Sequence, residues 1–302
     1  MGYLDPRPNS KTIGLAYASY YTHETASRAN HISGPRSGLV RRLRQALRNG
    51  ELNRSYNYHF EPSISSFGVL RVFAKRKAWE ADAFVRHLPA PKPGSDQLLD
   101  IGCGNGEFVE LAQKALGYRA EGLELDARAV EAARRLGICV HHGSVDQNDL
   151  PLQSYAHVTL CHVLEHLHHP VSALSNIRSL LQPGGRVWIE IPNLDAASHR
   201  QFGANALLLD SPRHLVMFNR KSLQISLEMA GFTSLAFKPV GGFIEEAYLQ
   251  SWAIQSGIDP YSVEIADFPA HLKTAARRSA DADSSRSLQV ESLIVCAYRD
   301  NA

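Results

Sequence analysis

The side chains able to do chemistry concentrate in a few short stretches of this 302-residue chain. LLDIGCGNGEF, residues 98–108, runs through Asp100 and then places Gly102, Gly104 and Gly106 close together. Glycine admits positive φ and removes the Cβ that would bar a ligand from the backbone. The stretch therefore reads either as a ligand-cradling turn or as a flexible loop. GLELD offers Glu124, which alone reads as an acid facing solvent and beside the glycine turn as an acceptor for both hydroxyls of a ribose. The spacing is GxGxG, not GxGxxG, and Glu107 follows it. A carboxylate there would repel a pyrophosphate, which disfavours a dinucleotide and favours a nucleoside with a cationic tail. In LCHVLEHLHHP, the residues His162, Glu165 and His166 stand at i, i+3 and i+4. Three such donors could hold a metal ion, or they could simply pack.

Alternating elements position these residues. QLLDI, AEGLEL, CVHHG, HVTLCHVL and RVWIEIPN read as strands. Between them, GEFVELAQKAL, ARAVEAARRLG and PVSALSNIRSLLQPGG read as helices, a pattern of parallel βαβ units. RKSLQISLEMAG is a further helix, capped by Asn219 and stopped by Gly231. SLAFKPV and SLIVCAYR are late strands. They flank a helix-rich insert at about 243–288, whose polar end ARRSADADSSRS reads as a mobile loop. His157 falls at the start of its strand, away from the site, and His168 and His169 fall in the loop before Pro170. PAPKPG, residues 89–94, is the clearest linker. It separates an N-terminal helical extension, 1–93, from a domain spanning 94–302. In that extension SGLVRRLRQALRNG is a helix capped by Ser37, with Leu39, Leu43 and Leu47 on one face and Gly50 as its end. Its Arg41, Arg42, Arg44 and Arg48 are either a solvated face or a docking surface for an anionic membrane or substrate. A second helix is expected over 69–88.

Composition is that of an ordinary globular protein, with 44% hydrophobic residues and a formal net charge of +2, which gives no sign of nucleic acid. No apolar run is long enough to cross a bilayer. Cys103, Cys139, Cys161 and Cys296 lack metal-ligand or disulfide spacing and read as buried thiols, so a reducing cytoplasm is expected.

LLDIGCGNGEF, GLELD, HGSV, LCHVLEHLHHP, LLQPGG and EMAGF, in this order, resemble the class I S-adenosylmethionine-dependent methyltransferases whose fourth strand runs into VLEH. The resemblance covers about residues 96–240 plus the final strand. It implies a Rossmann-like, doubly wound α/β fold, with a seven-stranded, mostly parallel sheet and one antiparallel strand. It also implies that Asp100, Gly102, Gly104 and Gly106 cradle the methionine part of the cofactor. Glu124 would hold the ribose, Leu125 would lie against the adenine, Ser144 and Val145 would read its edge, and His162 would lie at the cofactor. The family often has Asp in place of Ser144 and an acid in place of Ala156. A related ExxEH pattern in ubiquinone-pathway O-methyltransferases and a small-RNA methyltransferase holds a divalent metal, for which His162, Glu165 and His166 are the counterpart here.

DSPRHLVMFNRKSL resembles the family's segment near the acceptor, which makes His214 the first candidate base and His166 the second. The front end, GYLDPRPNSKTIGLAYASYYTH, resembles methyltransferases of bacterial glycan gene clusters, many of which carry a zinc ribbon before it; no cysteine precedes Cys103 here. Tyr20, Tyr21 and His23 form either a lid or an aromatic packing cluster. The expected reaction is attack by an acceptor oxygen, a sugar hydroxyl first and a phenol or quinone-pathway hydroxyl second, on the sulfonium methyl. A cofactor-binding module without turnover and an NAD-dependent oxidoreductase are the rival readings.

Overall fold

The computed structural model describes residues 1–9, 12–13, 38–68, 71–72, 74, 82–238, 244–263, 265–284 and 291–301. The expectations for Tyr20, Tyr21, His23, Ser37 and most of 69–81 lie outside these, as do those for the side chains of Leu39 and Arg41.

The central sheet has seven strands, β2 to β6, β8 and β9, in the order β4-β3-β2-β5-β6-β9-β8. They are β2 (Gln97–Ile101), β3 (Arg119–Glu124), β4 (Val140–His142), β5 (Tyr155–Cys161), β6 (Leu181–Pro192), β8 (Ser234–Lys238) and β9 (Ser292–Tyr298). β2, β3 and β4 pair in parallel, and β9 runs antiparallel to both β6 and β8. The seven strands are those the alternation anticipates. Nearly every residue of β2 and β5 is buried, as both-face burial in a parallel sheet requires. Two short strands had no pattern to announce them: β1 (Gly2–Tyr3) pairs antiparallel with β7 (Val216–Met217). Two residues are too few to show a period.

The chain divides into two compact units: Tyr20–Thr159 with Leu180–Gly185, and Met1–Ser19 with Leu160–Ser179 and Arg186–Ala302. The first unit is built on Leu98, Val109, Leu116, Val130 and Val140, with Tyr58, Val85 and Leu88 of the N-terminal region in the same apolar cluster. In the second, helices Ile244–Gln255 and Ala270–Ser284 share a smaller core of Leu249, Ala253, Phe268 and Ala276.

Several boundaries differ from expectation. Helix Gly38–Tyr56 runs six residues past Gly50. A Cβ at Gly50 would lie 2.1 Å from the carbonyl oxygen of Ile64, so this glycine lets the 57–66 segment close onto the helix. Ile64 N–H donates to Ala46 O at 3.0 Å and Asn49 Nδ2 to Pro62 O at 2.9 Å. Gly50→Ala in a helix ordinarily gains about 1 kcal/mol; here the clash is with backbone, and a loss of about 2–3 kcal/mol in denaturant unfolding is expected. Leu43 is exposed while Ala46, Leu47 and Leu52 are buried, so the apolar face lies one step away from Leu39/Leu43/Leu47. Arg42 and Arg44 face solvent, whereas Arg48 is half-buried and bonded to Asn49.

β5 stops at Cys161, short of Leu164, because His162 adopts a left-handed conformation (φ 53°). The helix from Pro170 ends at Leu180, ahead of Pro183. Helix Ala270–Ser284 occupies much of the supposed mobile loop, since its alanines favour helix and Ala276 is buried in the small core. Helix Arg220–Met229 carries the expected Asn219 cap, in a reciprocal box with Ser222, and Gly231 (φ 88°) follows its end.

Candidate functional site

In the first unit the chain leaves β2 through the glycine turn. Gly102 N–H donates to Leu123 O at 2.8 Å, tying the turn to β3. Gly104 has φ +56°, and a Cβ placed on it meets nothing within 4 Å. Gly106 serves differently: a Cβ there would press on Ile138 at 3.0 Å and on Ala133 at 3.3 Å, so it brings the turn close to helix Ala127–Arg135. Open space at Gly104 is what a backbone cradle for a ligand requires.

Glu124 braces this turn. Its Oε2 accepts the Gly104 N–H at 2.8 Å, and Oε1 accepts the N–H groups of Leu125 and Asp126 at 2.8 and 2.9 Å. An ionised carboxylate has about four acceptor positions, so three backbone donors leave room for a ligand hydroxyl. Glu124→Gln would turn an amide N–H toward one of those backbone donors and lose the charge-assisted bond. Cofactor affinity measured by calorimetry should fall about ten- to hundredfold, from a loss on the order of 1.5–3 kcal/mol. An unchanged affinity would make Glu124 a bystander.

Leu125 is 69% exposed, an apolar side chain open to a flat ring. Ser144 and Val145 are less open than expected: the Ser144 hydroxyl accepts the Gln147 N–H at 3.2 Å, and Val145 is buried.

Asp100 is 1% exposed beneath the turn, where its Oδ1 accepts from Arg86 and, at 2.9 Å, from the Thr159 hydroxyl. The partners of this oxygen lie outside the turn, on the 82–88 segment and on β5. The Arg86 guanidinium also stacks 3.5 Å from the centroid of Phe108. The helix expected over 69–88 does not extend to Arg86, which sits in a turn with φ 54°. The only sequence signal for Arg86 was that an acid in an apolar strand needs a partner.

In the second unit a histidine cluster surrounds Glu165. His162 Nδ1 donates to Glu165 Oε1 at 3.1 Å. His214 is buried, with Nε2 at 3.9 Å from Glu165 Oε1 and 3.8 Å from Asp210 Oδ2. The rings of His166 and His214 meet edge-on, with centroids 4.8 Å apart. His214 Nδ1 lies 2.8 Å from Leu208 O, and His166 Nδ1 lies 3.1 Å from Arg213 O. A carbonyl only accepts, so each ring donates from Nδ1, and in the neutral ring it is Nε2 that carries the lone pair.

Glu165 Oε2 is buried without a hydrogen-bond partner. Burial pushes the Glu165 carboxyl up, but the His162 hydrogen bond and the charges of the surrounding histidines outweigh it and hold it below the usual range. Burial lowers the His214 imidazole, with Glu165 and Asp210 opposing.

Ligand atoms of Glu165, His166 and His214 lie within 4.8 Å of one another, whereas His162 groups with Cys161 and Glu190. The alternative metal set of His162, Glu165 and His166 read from the sequence shares Glu165 and His166 with this group, and His162 lies beside it, bonded to Glu165. An orphaned carboxylate oxygen beside two imidazole lone pairs, each ring fixed by a backbone carbonyl, is a donor set that fits a divalent cation. His157, as expected, is elsewhere, buried edge-on against Tyr118. His168 is a loop residue that bonds Pro8 O at 3.0 Å.

A family described as a methyltransferase domain matches residues 73–236. That is more than half of the chain, and the protein belongs to this family of S-adenosylmethionine-dependent methyltransferases. It is 32% identical over 134 residues to a ubiquinone biosynthesis O-methyltransferase of Thiobacillus denitrificans, covering 41% of this chain and 56% of that one. It is 26% identical over 164 residues to the protein of the same description from Xanthomonas axonopodis, covering 48% and 66%. The chain thus spans less than two thirds of the length of these relatives. Among solved structures, the [4+2]-cyclase SpnF shares the fold, with a TM-score of 0.51 at 17% identity over 86% of this chain and 96% of that one. No helix among the described residues is long and apolar enough to cross a membrane.

Proposed function

We propose that this chain transfers a methyl group from S-adenosylmethionine to a hydroxyl oxygen of a small molecule, with a phenolic hydroxyl as the acceptor class. One fold serves many reactions, a cyclase among them; the reading therefore rests on the Glu165–His166–His214 cluster, whose two imidazole rings are held at Nδ1 by backbone carbonyls. The names of the curated relatives agree with oxygen as the acceptor. They lend nothing to the sugar hydroxyl suggested by the N-terminal segment.

When bound, S-adenosylmethionine supplies an electrophilic methyl on a cationic sulfur, and a divalent ion acidifies a hydroxyl. The chain's own residues do the rest. Gly104 leaves room for the cofactor, Glu124 accepts ribose hydroxyls and Leu125 offers an apolar surface to the base. Glu165, His166 and His214 would hold the ion; in its absence His214 Nε2 would instead be the chain's own acceptor for a hydroxyl proton. Positioning contributes much of the rate in such a displacement.

The test is incubation of the protein with methyl-labelled S-adenosylmethionine and parallel sets of phenols and sugars. Label on a phenolic oxygen is the expected result. Cofactor binding with label on sugars alone, or with no transfer to either set, overturns the acceptor assignment.

A further inference from the structure

At the amino-terminal ends of the strands of the first unit, a cleft of about 450 Å³ is lined by Gln97, Tyr118, Arg119, Glu121, Cys139 and Tyr155 among others. The glycine turn follows the carboxyl end of β2, so the cleft lies at the other end of these strands. Cys139 is exposed, contrary to the expectation of a buried thiol. Its carbonyl accepts the Gly122 N–H at 3.0 Å, which seats it beside Glu121 on the neighbouring strand. His141, two residues on, shares its face of β4.

The side chains converge. His141 Nε2 lies 2.8 Å from Glu121 Oε2, and Cys139 Sγ lies 3.7 Å from the same oxygen. The ligand atoms of all three are within 4.8 Å of one another. Tyr155 donates its hydroxyl to Oε1, the other carboxylate oxygen, and so fixes the orientation of Oε2.

We infer that Glu121, Cys139 and His141 form a binding site for a zinc-class divalent ion, with the cleft leaving a fourth position for water or a small ligand. A thiolate, an imidazole and a carboxylate select a borderline-soft cation over magnesium or calcium. Three protein donors with one open position is the arrangement of zinc sites that bind a further ligand. The thiol and the imidazole both direct protons at Glu121 Oε2; a dication takes their place, and binding releases protons to solvent. The Tyr155 hydroxyl acts as the outer hydrogen bond that holds a ligating carboxylate.

The test uses the full chain, stripped of metal by a chelator and titrated with Co2+ alone. One equivalent should generate a sulfur-to-cobalt charge-transfer band. Cys139→Ser and His141→Ala should abolish it, Cys161→Ser should keep it, and Tyr155→Phe should weaken Co2+ binding roughly tenfold or more. Independently of any variant, Zn2+ should slow alkylation of Cys139, read by peptide mass spectrometry, and leave Cys161 unprotected. Absence of the band in the parent protein, its survival in Cys139→Ser, or unchanged alkylation of Cys139 overturns the site.

Discussion

Replacement of His214 by asparagine is expected to leave a folded protein that still binds S-adenosylmethionine but turns over about 10²–10⁴-fold more slowly. The asparagine amide can keep the bond that Nδ1 makes to Leu208 O, while nothing replaces Nε2 beside Glu165 and Asp210. Either role proposed for this atom, ion ligand or proton acceptor, needs the neutral ring. Burial lowers the imidazole from its ordinary 6.5, against Glu165 and Asp210 and with the charge of His166. The parent rate should therefore hold through neutral pH and fall on the acid side below 6.5, and the variant should lack that limb. The same sign governs stability. A depressed histidine pKa contributes stability that is present above 6.5 and lost as pH falls through the folded-state value.

Chelation separates the two roles. The carbonyl-fixed rings and the unpartnered Glu165 Oε2 favour the ion, so chelator should silence the parent and a divalent ion should restore it. His166→Asn and Glu165→Gln should then be as slow as His214→Asn. Activity that survives chelation, with His214→Asn alone impaired, would leave His214 as the base without a metal.

The central sheet was legible because each strand and helix carries its own local pattern, and because QLLDI followed by glycines marks a strand end. Residues whose partners lie far away in the chain were not legible. Gly50 reads as a helix stop until Ile64 O is found against it. Arg86 belongs to Asp100 across a proline-rich linker, and no spacing rule joins them. Cys139 and His141 are unremarkable until strand pairing supplies Glu121. Within the histidine cluster, LCHVLEH offered Glu165 and His166, and DSPRHLVMFNRKSL offered His214 through the resemblance; that the two segments meet at one carboxylate depends on the fold. His162 reaches Glu165 at i, i+3 by a route the spacing did not show: at φ 53° it ends the strand, and its ring turns to the carboxylate from outside any helix.

Substitution of Gly104 by valine should abolish S-adenosylmethionine binding while leaving the protein folded. The space a Cβ would enter is open to at least 4 Å, so no protein atom has to move to admit it. The cost to folding is the left-handed backbone at φ +56°, about 1–2 kcal/mol for a residue with a Cβ. A bound ligand meets both methyls and any shift in the N–H that Glu124 holds at 2.8 Å.

Two further variants divide strain from occupancy. Asparagine tolerates the left-handed region but carries bulk, so Gly104→Asn should melt close to the parent and still lose binding. Gly104→Ala fills the least space and should weaken the cofactor about tenfold, or 1.4 kcal/mol. Calorimetric titration of the three variants, beside their melting temperatures, reads both quantities at once. If Gly104→Asn is stable and binds S-adenosylmethionine as tightly as the parent, the space above Gly104 is not where the cofactor lies. The open glycine turn would then be only a connection between β2 and the helix that follows it.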